Sequence, residues 1–272
     1  MSDLARILLG SDGLPVLQVG PWARDKHHFV ADYIGIFATG MKGKWSNRIY
    51  IDLFAGPGMC KVRGTGTEIP GSPLLAMDTK YRFTRYIFND REPVFVDALR
   101  HRVDRFEGVD AHFLNLDCNS AAKKIPALLP ERCLSLAFID PFNWQLKLDS
   151  VAVLTQGQRM DLMITFHSSS IKRAAHCELP ALDDFFGDRS WRRDYNETRK
   201  SGTRQGTRVL LDCYERSLVE LGYRFIDDKV LVPNRRGIPL YHLILASKHA
   251  RAAEFWDKIS MRDRAGQSRF PI

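Results

Sequence analysis

The 272-residue sequence has no apolar run near the roughly 20 residues needed to cross a bilayer, and no basic start followed by an apolar core and a cleavage site. A soluble, cytoplasmic protein is the expectation. Cysteine is scarce: Cys60, Cys118, Cys133, Cys177 and Cys213 are odd in number and form no close pair, which excludes a readable zinc knuckle or disulfide framework. No cluster of metal-ligand residues stands out, so no metal site is expected. Internal repeats and low-complexity segments are absent too, which sets aside solenoids and flexible linkers. Acidic residues are in deficit: 32 Asp and Glu against 40 Lys and Arg leave a formal charge of +8 and a pI near 9.3. A basic surface gains from phosphate neutralisation and counterion release, which favours nucleic acid as a partner; a charge that serves only solubility is the alternative.

What is present suits one α/β domain with insertions, since 44% hydrophobic residues can bury a substantial core. The stretch from Ile49 to Gly58 organises the rest: Ile-Tyr-Ile-Asp-Leu-Phe-Ala-Gly-Pro-Gly. An apolar, β-branched run that ends in an acidic residue and a Gly-x-Gly turn is how the first strand of a nucleotide-binding sheet commonly ends, although many tight turns carry Gly-x-Gly. Gly56 and Gly58 can take backbone angles closed to other residues and let a ligand lie against the main chain.

Upstream, residues 1–45 read as a lead-in, irregular over 1–19 and helical from 22 to 41, where Phe29, Tyr33 and Phe37 recur four apart. That aromatic stripe suits either core packing or a cap over a ligand pocket. Residues 59–71, rich in Gly and Thr, read as a loop over the ligand or as a surface hairpin, and Ser72-Pro73 as the start of the next helix. Further strands are expected at 84–89, 111–116, 134–139 and 160–166, with a closing antiparallel pair at 223–232 and 240–246 around the turn 233–237. Between them, about 168–208 reads as an inserted basic segment. Seven Lys and Arg from Arg189 to Arg208, Arg192, Arg193 and Arg204 among them, interleave there with Trp191 and Tyr195. Phosphate and base contacts, a solvated helix, or a docking face for a protein are its three readings.

Asp-Leu-Phe-Ala-Gly-x-Gly resembles the cofactor loop of many S-adenosylmethionine-dependent methyltransferases. The wider run 50–73, with 21–26, Phe138-Ile139-Asp140-Pro141-Phe142 and Tyr241 through His249, resembles the three-Cys-motif partner proteins over nearly the whole chain. The resemblance implies a class I methyltransferase-like Rossmann sandwich: a mostly parallel seven-stranded sheet with helices on both faces, in one domain over 1–272. It also implies a bacterial setting beside a partner that carries the three-cysteine motif.

The cofactor implied is S-adenosyl-L-methionine, with Asp52, Phe54, Ala55, Gly56 and Gly58 around its methionine part. Asp90, an acidic residue at the end of the second strand, would accept from ribose hydroxyls. Asp117 would accept from the adenine amino group, or cap the following helix. Asp140-Pro141-Phe142 resembles the Asp-Pro-Pro-Tyr motif of enzymes that methylate amino groups of bases. Phe142 stands where the second proline would, and Asn143 where the aromatic belongs. In that role Asp140 and the Pro141 carbonyl accept the amino hydrogens, while Phe142 or Trp144 stacks on the base; a strand-end Asp-Pro turn is the alternative. His167 is a base, a substrate contact, or a structural histidine, and Arg192 and Arg193 are the candidate nucleic-acid contacts. The expected function is methyl transfer to a base amino group of nucleic acid. The alternative is a non-catalytic or partner-dependent subunit of a three-Cys-motif protein.

Overall fold

Alternation along the strand at 48–52 sets the layers. Ile49 and Ile51 pack into one buried core, while Tyr50 points the other way into a second, as a pleated strand covered on both faces requires. The computed structural model describes residues 8–201, 205–233, 237 and 239–260. Arg204 and residues 234–236 of the expected turn lie outside these.

In chain order the elements begin with β1 (Leu8–Leu9), β2 (Pro15–Val19), α1 (Ala23–Met41), β3 (Arg48–Asp52), β4 (Met59–Val62), β5 (Glu68–Pro70) and α2 (Ser72–Met77). Next come β6 (Arg85–Asn89), α3 (Pro93–Val103), β7 (Ala111–Leu114), α4 (Cys118–Lys124), a short 3-10 turn (Ile125–Leu128), β8 (Leu134–Ile139), α5 (Leu148–Thr155) and β9 (Met160–Phe166). The remainder is α6 (Ser168–His176), α7 (Ala181–Phe186), α8 (Ser190–Lys200), α9 (Gly206–Glu220), β10 (Phe225–Pro233), β11 (Pro239–Ser247) and α10 (Ala250–Ser260).

Seven strands form the main sheet in the order β10-β11-β9-β8-β3-β6-β7. The pairs from β9 to β7 are parallel, and β11 alone runs against its neighbours β9 and β10. Strand order reverses beside β3, whose Asp52 is in register with Phe88 of β6 and Phe138 of β8. The carboxyl ends of these strands therefore finish level, and a crevice opens above them. Helices α1, α2, α3 and α10 cover the face that carries Tyr50, Tyr86 and Phe88. Helices α4 to α9 cover the face of Ile49, Ile87 and Ala137.

One expectation changes, and one pair of alternatives is decided. Residues 8–19 are not irregular: β1 and β2 form a hairpin, and β2 runs parallel to β4. Residues 59–71 are a hairpin, β4 with β5, so both segments build a second, four-stranded sheet in the order β1-β2-β4-β5. Its anchor is Arg102 of α3, 3% exposed, which donates to Asp12 (2.9 and 2.8 Å), to the Pro15 carbonyl (2.8 Å) and to the Pro57 carbonyl. One buried guanidinium thus fastens the lead-in to the Gly-x-Gly loop. Neither strand pair carries enough alternation to announce itself, because each is short and completed by the other.

The described residues of the segment 168–208 form α6, α7, α8 and the start of α9. Trp191 and Tyr195, one turn apart, are buried at 1% and 3% exposure, so these aromatics serve the core rather than interleaving with cations at the surface. Among the described residues no helix is long and apolar enough to span a membrane, and no three His, Cys, Asp or Glu side chains gather as a metal site.

Candidate active site

The loop after β3 turns tightly because Gly56 (φ +59°) and Gly58 (φ +85°) occupy the left-handed region. Leu53 N–H donates to the Phe138 carbonyl (3.2 Å) and Ala55 N–H to the Asn89 carbonyl (2.8 Å), so the loop is laced to both neighbouring strands. Asn89, 1% exposed, completes the lacing: its amide donates to the Leu53 and Leu116 carbonyls (3.1 Å each) and accepts from Leu116 N–H (3.2 Å). Gly71 N–H donates to the Gly58 carbonyl (2.7 Å), closing the β4–β5 hairpin against the same loop.

Above the loop lies a cavity of about 540 Å³. Its wall takes in Phe54, Ala55, Gly56, Gly58, Asp90, Asp117, Asp140, Pro141, Phe142 and His167, and on the second sheet Leu17, Val19 and Cys60. Helix α1 adds Lys26 and His27, and β11 adds Tyr241. A side chain at Gly56 would meet only Leu17 Cδ2 at 3.9 Å, so the main chain there faces open space.

The floor is a charged, partly buried cluster. Lys26 Nζ donates to Asp140 Oδ2, and the two side chains are 12% and 21% exposed. Burial pushes the Asp140 carboxyl up; the Lys26 ammonium, with His167 and Thr165 beside it, outweighs burial and holds it below the usual carboxylate range. Asp140 Oδ1 is buried with no hydrogen-bond partner among the described residues, and so is His167 Nε2. Burial first lowers the His167 pKa, with Asp140 and the Pro141 carbonyl opposing. Burial first, and Lys26 second, push His27 down to about 4. The Lys26 ammonium also lies 5.6 Å from the centre of the Tyr241 ring.

Asp90 faces the cavity from the end of β6, accepting from Gly56 N–H (2.8 Å) and Glu92 N–H (2.9 Å). Burial raises its pKa while these amides oppose the rise. Asp117 caps α4, accepting from Asn119 N–H (3.0 Å) and Ser120 N–H (3.1 Å), which is the capping alternative, and it also lines the cavity. Its pKa is lowered, the Ser120 hydroxyl first among the causes.

Asp52 is elsewhere than expected. It is fully buried behind the loop and does not line the cavity; its oxygens accept from Phe54 N–H and Tyr50 Oη, both at 3.2 Å, and Ser72 bonds to it. Burial pushes its pKa up to about 7 against those bonds. It braces the loop from beneath, and direct contact with a ligand is not what this placement offers. Trp144 packs against the core beside α4–α9 and is also off the cavity wall, whereas Phe142 stands at the rim, 72% exposed.

Arg192 and Arg193 lie on α8, away from the cavity. Arg192 Nε donates to Asp183 (2.8 Å) and its guanidinium lies over Trp191; Arg193 pairs with Asp194 (3.1 Å). Sequence reasoning gave no site role to Lys26, His27, Asn89 or Tyr241. The signal for Lys26 and Tyr241 was their presence in the stretches that carry the family resemblance.

The sheet order with a single reversed strand, and a cavity over the switch point, define a class I methyltransferase-like Rossmann sandwich. No protein-family model matches the chain, and no curated protein matches it. Among solved structures it is similar to protein LPL1258 from Legionella pneumophila, at a TM-score of 0.54 and 10% identity over 90% of this chain and 95% of that one. Trm1 from Pyrococcus horikoshii, solved with S-adenosyl-L-methionine, matches at a TM-score of 0.49 and 14% identity over 91% of this chain and 61% of Trm1. The N-methyltransferase NodS from Bradyrhizobium japonicum matches at 0.41 and 13% identity, over 84% and 98% of the two chains. At these identities the likeness is one of fold, and the LPL1258 match is the one that supports it.

Proposed function

We propose that the chain is an S-adenosylmethionine-dependent methyltransferase of the three-Cys-motif partner type, acting on a base amino group of nucleic acid. The observation that carries this is convergence. Lys26, Gly56, Gly58, Asp140, Pro141 and Tyr241 come from four separated stretches of the family resemblance and line one cavity at the carboxyl edge of the sheet.

The residues fit the cofactor. Gly56 leaves the main chain open to a ligand, as its unobstructed Cβ position shows. Phe54, Ala55, Gly56 and Gly58 would hold the methionine part, Asp90 the ribose and Asp117 the adenine. Each carboxylate keeps lone pairs beyond its backbone bonds, those of Asp117 on Oδ2. When bound, the cofactor supplies an electrophilic sulfonium methyl group.

Asp140 is the acceptor for the amino group. Lys26 keeps it ionised at Oδ2, and Oδ1 is left for an incoming N–H. An orphaned buried acceptor costs about 1–3 kcal/mol, and an amino hydrogen placed on it removes that cost. Pro141 offers its carbonyl, beside which His167 sits. Phe142, at the rim, is placed to stack on an extruded base. The reaction relies on position and preorganised acceptors.

Calorimetric titration with S-adenosylmethionine and S-adenosylhomocysteine tests the first half: both should bind, and binding of neither would overturn the cofactor. Transfer of a labelled methyl group to RNA and DNA, with and without a three-Cys-motif partner, tests the second. Asp140→Asn should abolish transfer and leave cofactor binding intact. Transfer that persists at the wild-type rate would remove Asp140 from the chemistry, and transfer seen only with the partner would make this chain a partner-dependent subunit.

A further inference from the structure

A second cavity, about 360 Å³, opens on the opposite edge of the sheet. Leu134 and Met160, the first residues of β8 and β9, and Ser247, the last of the reversed β11, all line it, so it lies at the amino edge, behind the candidate active site. Its volume falls within the range of about 300–1,000 Å³ usual for small-molecule sites. Trp45, Phe255 and Met41 make an apolar wall. Gly40 permits that wall, because a Cβ there would stand 2.4 Å from Phe255 Cζ.

The rim is cationic, and its cations differ from the paired arginines around α8. On and around α8 five arginines are answered by acids: Arg189 and Arg192 by Asp183, Arg193 and Arg216 by Asp194, Arg208 by Asp212, Glu215 and Asp228. The rim cations Lys44, Arg159 and Arg251 come from three separate segments, and none pairs with a carboxylate among the described residues. Arg159 lies over the Trp45 ring, 5.3 Å from its centre, and leaves its charge at the mouth. Lys248 is spent on the Thr155 and Gln158 carbonyls (3.1 and 3.3 Å). The one acid on the wall, Asp161, is turned to the protein: it accepts from Ser247 Oγ (2.6 Å) and Tyr33 Oη (3.2 Å). Three cations without a carboxylate partner among the described residues thus stand beside an apolar, aromatic pocket. Aromatic rings stack on any base, and arginine adds charge for a phosphate.

We propose that this cavity is a second ligand site, for a phosphorylated nucleoside, with its base against the Trp45 and Phe255 wall and its phosphate at the rim of Lys44, Arg159 and Arg251. The source is either a free mononucleotide or the phosphorylated end of a nucleic acid strand.

The test is calorimetry on the full chain at low ionic strength with adenosine 5′-monophosphate, adenosine, and a short single-stranded oligonucleotide with and without a 5′-phosphate. The phosphorylated probes should bind at least about tenfold more tightly than their unphosphorylated counterparts. Arg159→Ala and Arg251→Ala, both exposed, should each weaken that binding about tenfold with the melting temperature unchanged. Tighter binding of the oligonucleotide than of the mononucleotide would identify a strand end as the source, and the reverse a free nucleotide. Absence of phosphate preference, or binding lost in Asp90→Ala and kept in both rim variants, would overturn the proposal, the latter because the nucleotide would then sit in the first cavity.

Discussion

Removing the Lys26 ammonium is the sharpest perturbation the active-site geometry allows. In Lys26→Met the stem is kept and Asp140 is left largely buried without its cation. Breaking one side of a buried ion pair costs about 3–5 kcal/mol. With 12% and 21% of the two side chains still exposed, the lower end applies, about 3 kcal/mol. For a chain of this size that is a fall in melting temperature of about 6–12 °C. Asp140→Asn strands the lysine instead and should be destabilising too. The double variant Lys26→Met/Asp140→Asn carries neither charge, so its loss should be well short of the sum, with a coupling of about 2 kcal/mol or more in urea denaturation. The pH dependence adds an independent check. Lys26 depresses the Asp140 pKa below its unfolded value, so the pair's contribution is present above the unfolded pKa and lost as pH falls through the folded one. In Lys26→Met the largest influence opposing burial is gone and that pKa rises, so the deficit relative to wild type should be largest near pH 7 and shrink toward pH 4. Additive single losses, with a deficit indifferent to pH, would refute the account of this cluster.

Asp52 titrates with the opposite sign. Its folded pKa, pushed up to about 7 by burial from 3.8, means the native state keeps a proton that the unfolded chain has released. Stability therefore falls as pH rises from about 4 to 7, on the order of 4 kcal/mol across the window; Asp52→Asn should flatten that part of the profile in denaturant titrations at successive pH values. The two loop glycines should separate. Gly58→Ala forces a Cβ to 2.8 Å from Leu99 Cδ1 at φ +85° and should cost about 2 kcal/mol. Gly56→Ala meets open space and should cost only about 1 kcal/mol of left-handed strain, while blocking the cavity; equal losses in urea melts would contradict the packing described. Asp90→Ala should weaken S-adenosylhomocysteine binding by roughly 10–150-fold, the worth of charged hydrogen bonds, and unchanged calorimetric affinity would remove it from the site.

The sequence by itself determined the central sheet and the Gly-x-Gly loop after β3. The runs at 48–52, 134–139 and 160–166 are apolar on both faces, and only a sheet covered by helices on both sides accommodates that. Gly56 and Gly58 were legible because their φ values are closed to other residues. Asp90, Asp117 and Asp140 were legible because a polar residue ending such a run falls at the carboxyl edge. Tertiary structure alone decided the rest. The strands at 8–19 and 59–70 are too short to show a period and exist because each pairs with the other and Arg102 ties them down. Asp52 could be placed at the end of β3, but whether its carboxylate faced the cavity or the core depended on Tyr50, Phe54 and Ser72 closing around it. The basic run at 189–208 could be counted, yet the pairing of Arg189, Arg192 and Arg193 with Asp183 and Asp194 is set by how α7 and α8 pack. The Lys26–Asp140 pair joins residues 114 apart, and no local pattern encodes it. Local chemistry fixes which backbone conformations and which faces are possible, while long-range packing fixes which charges meet.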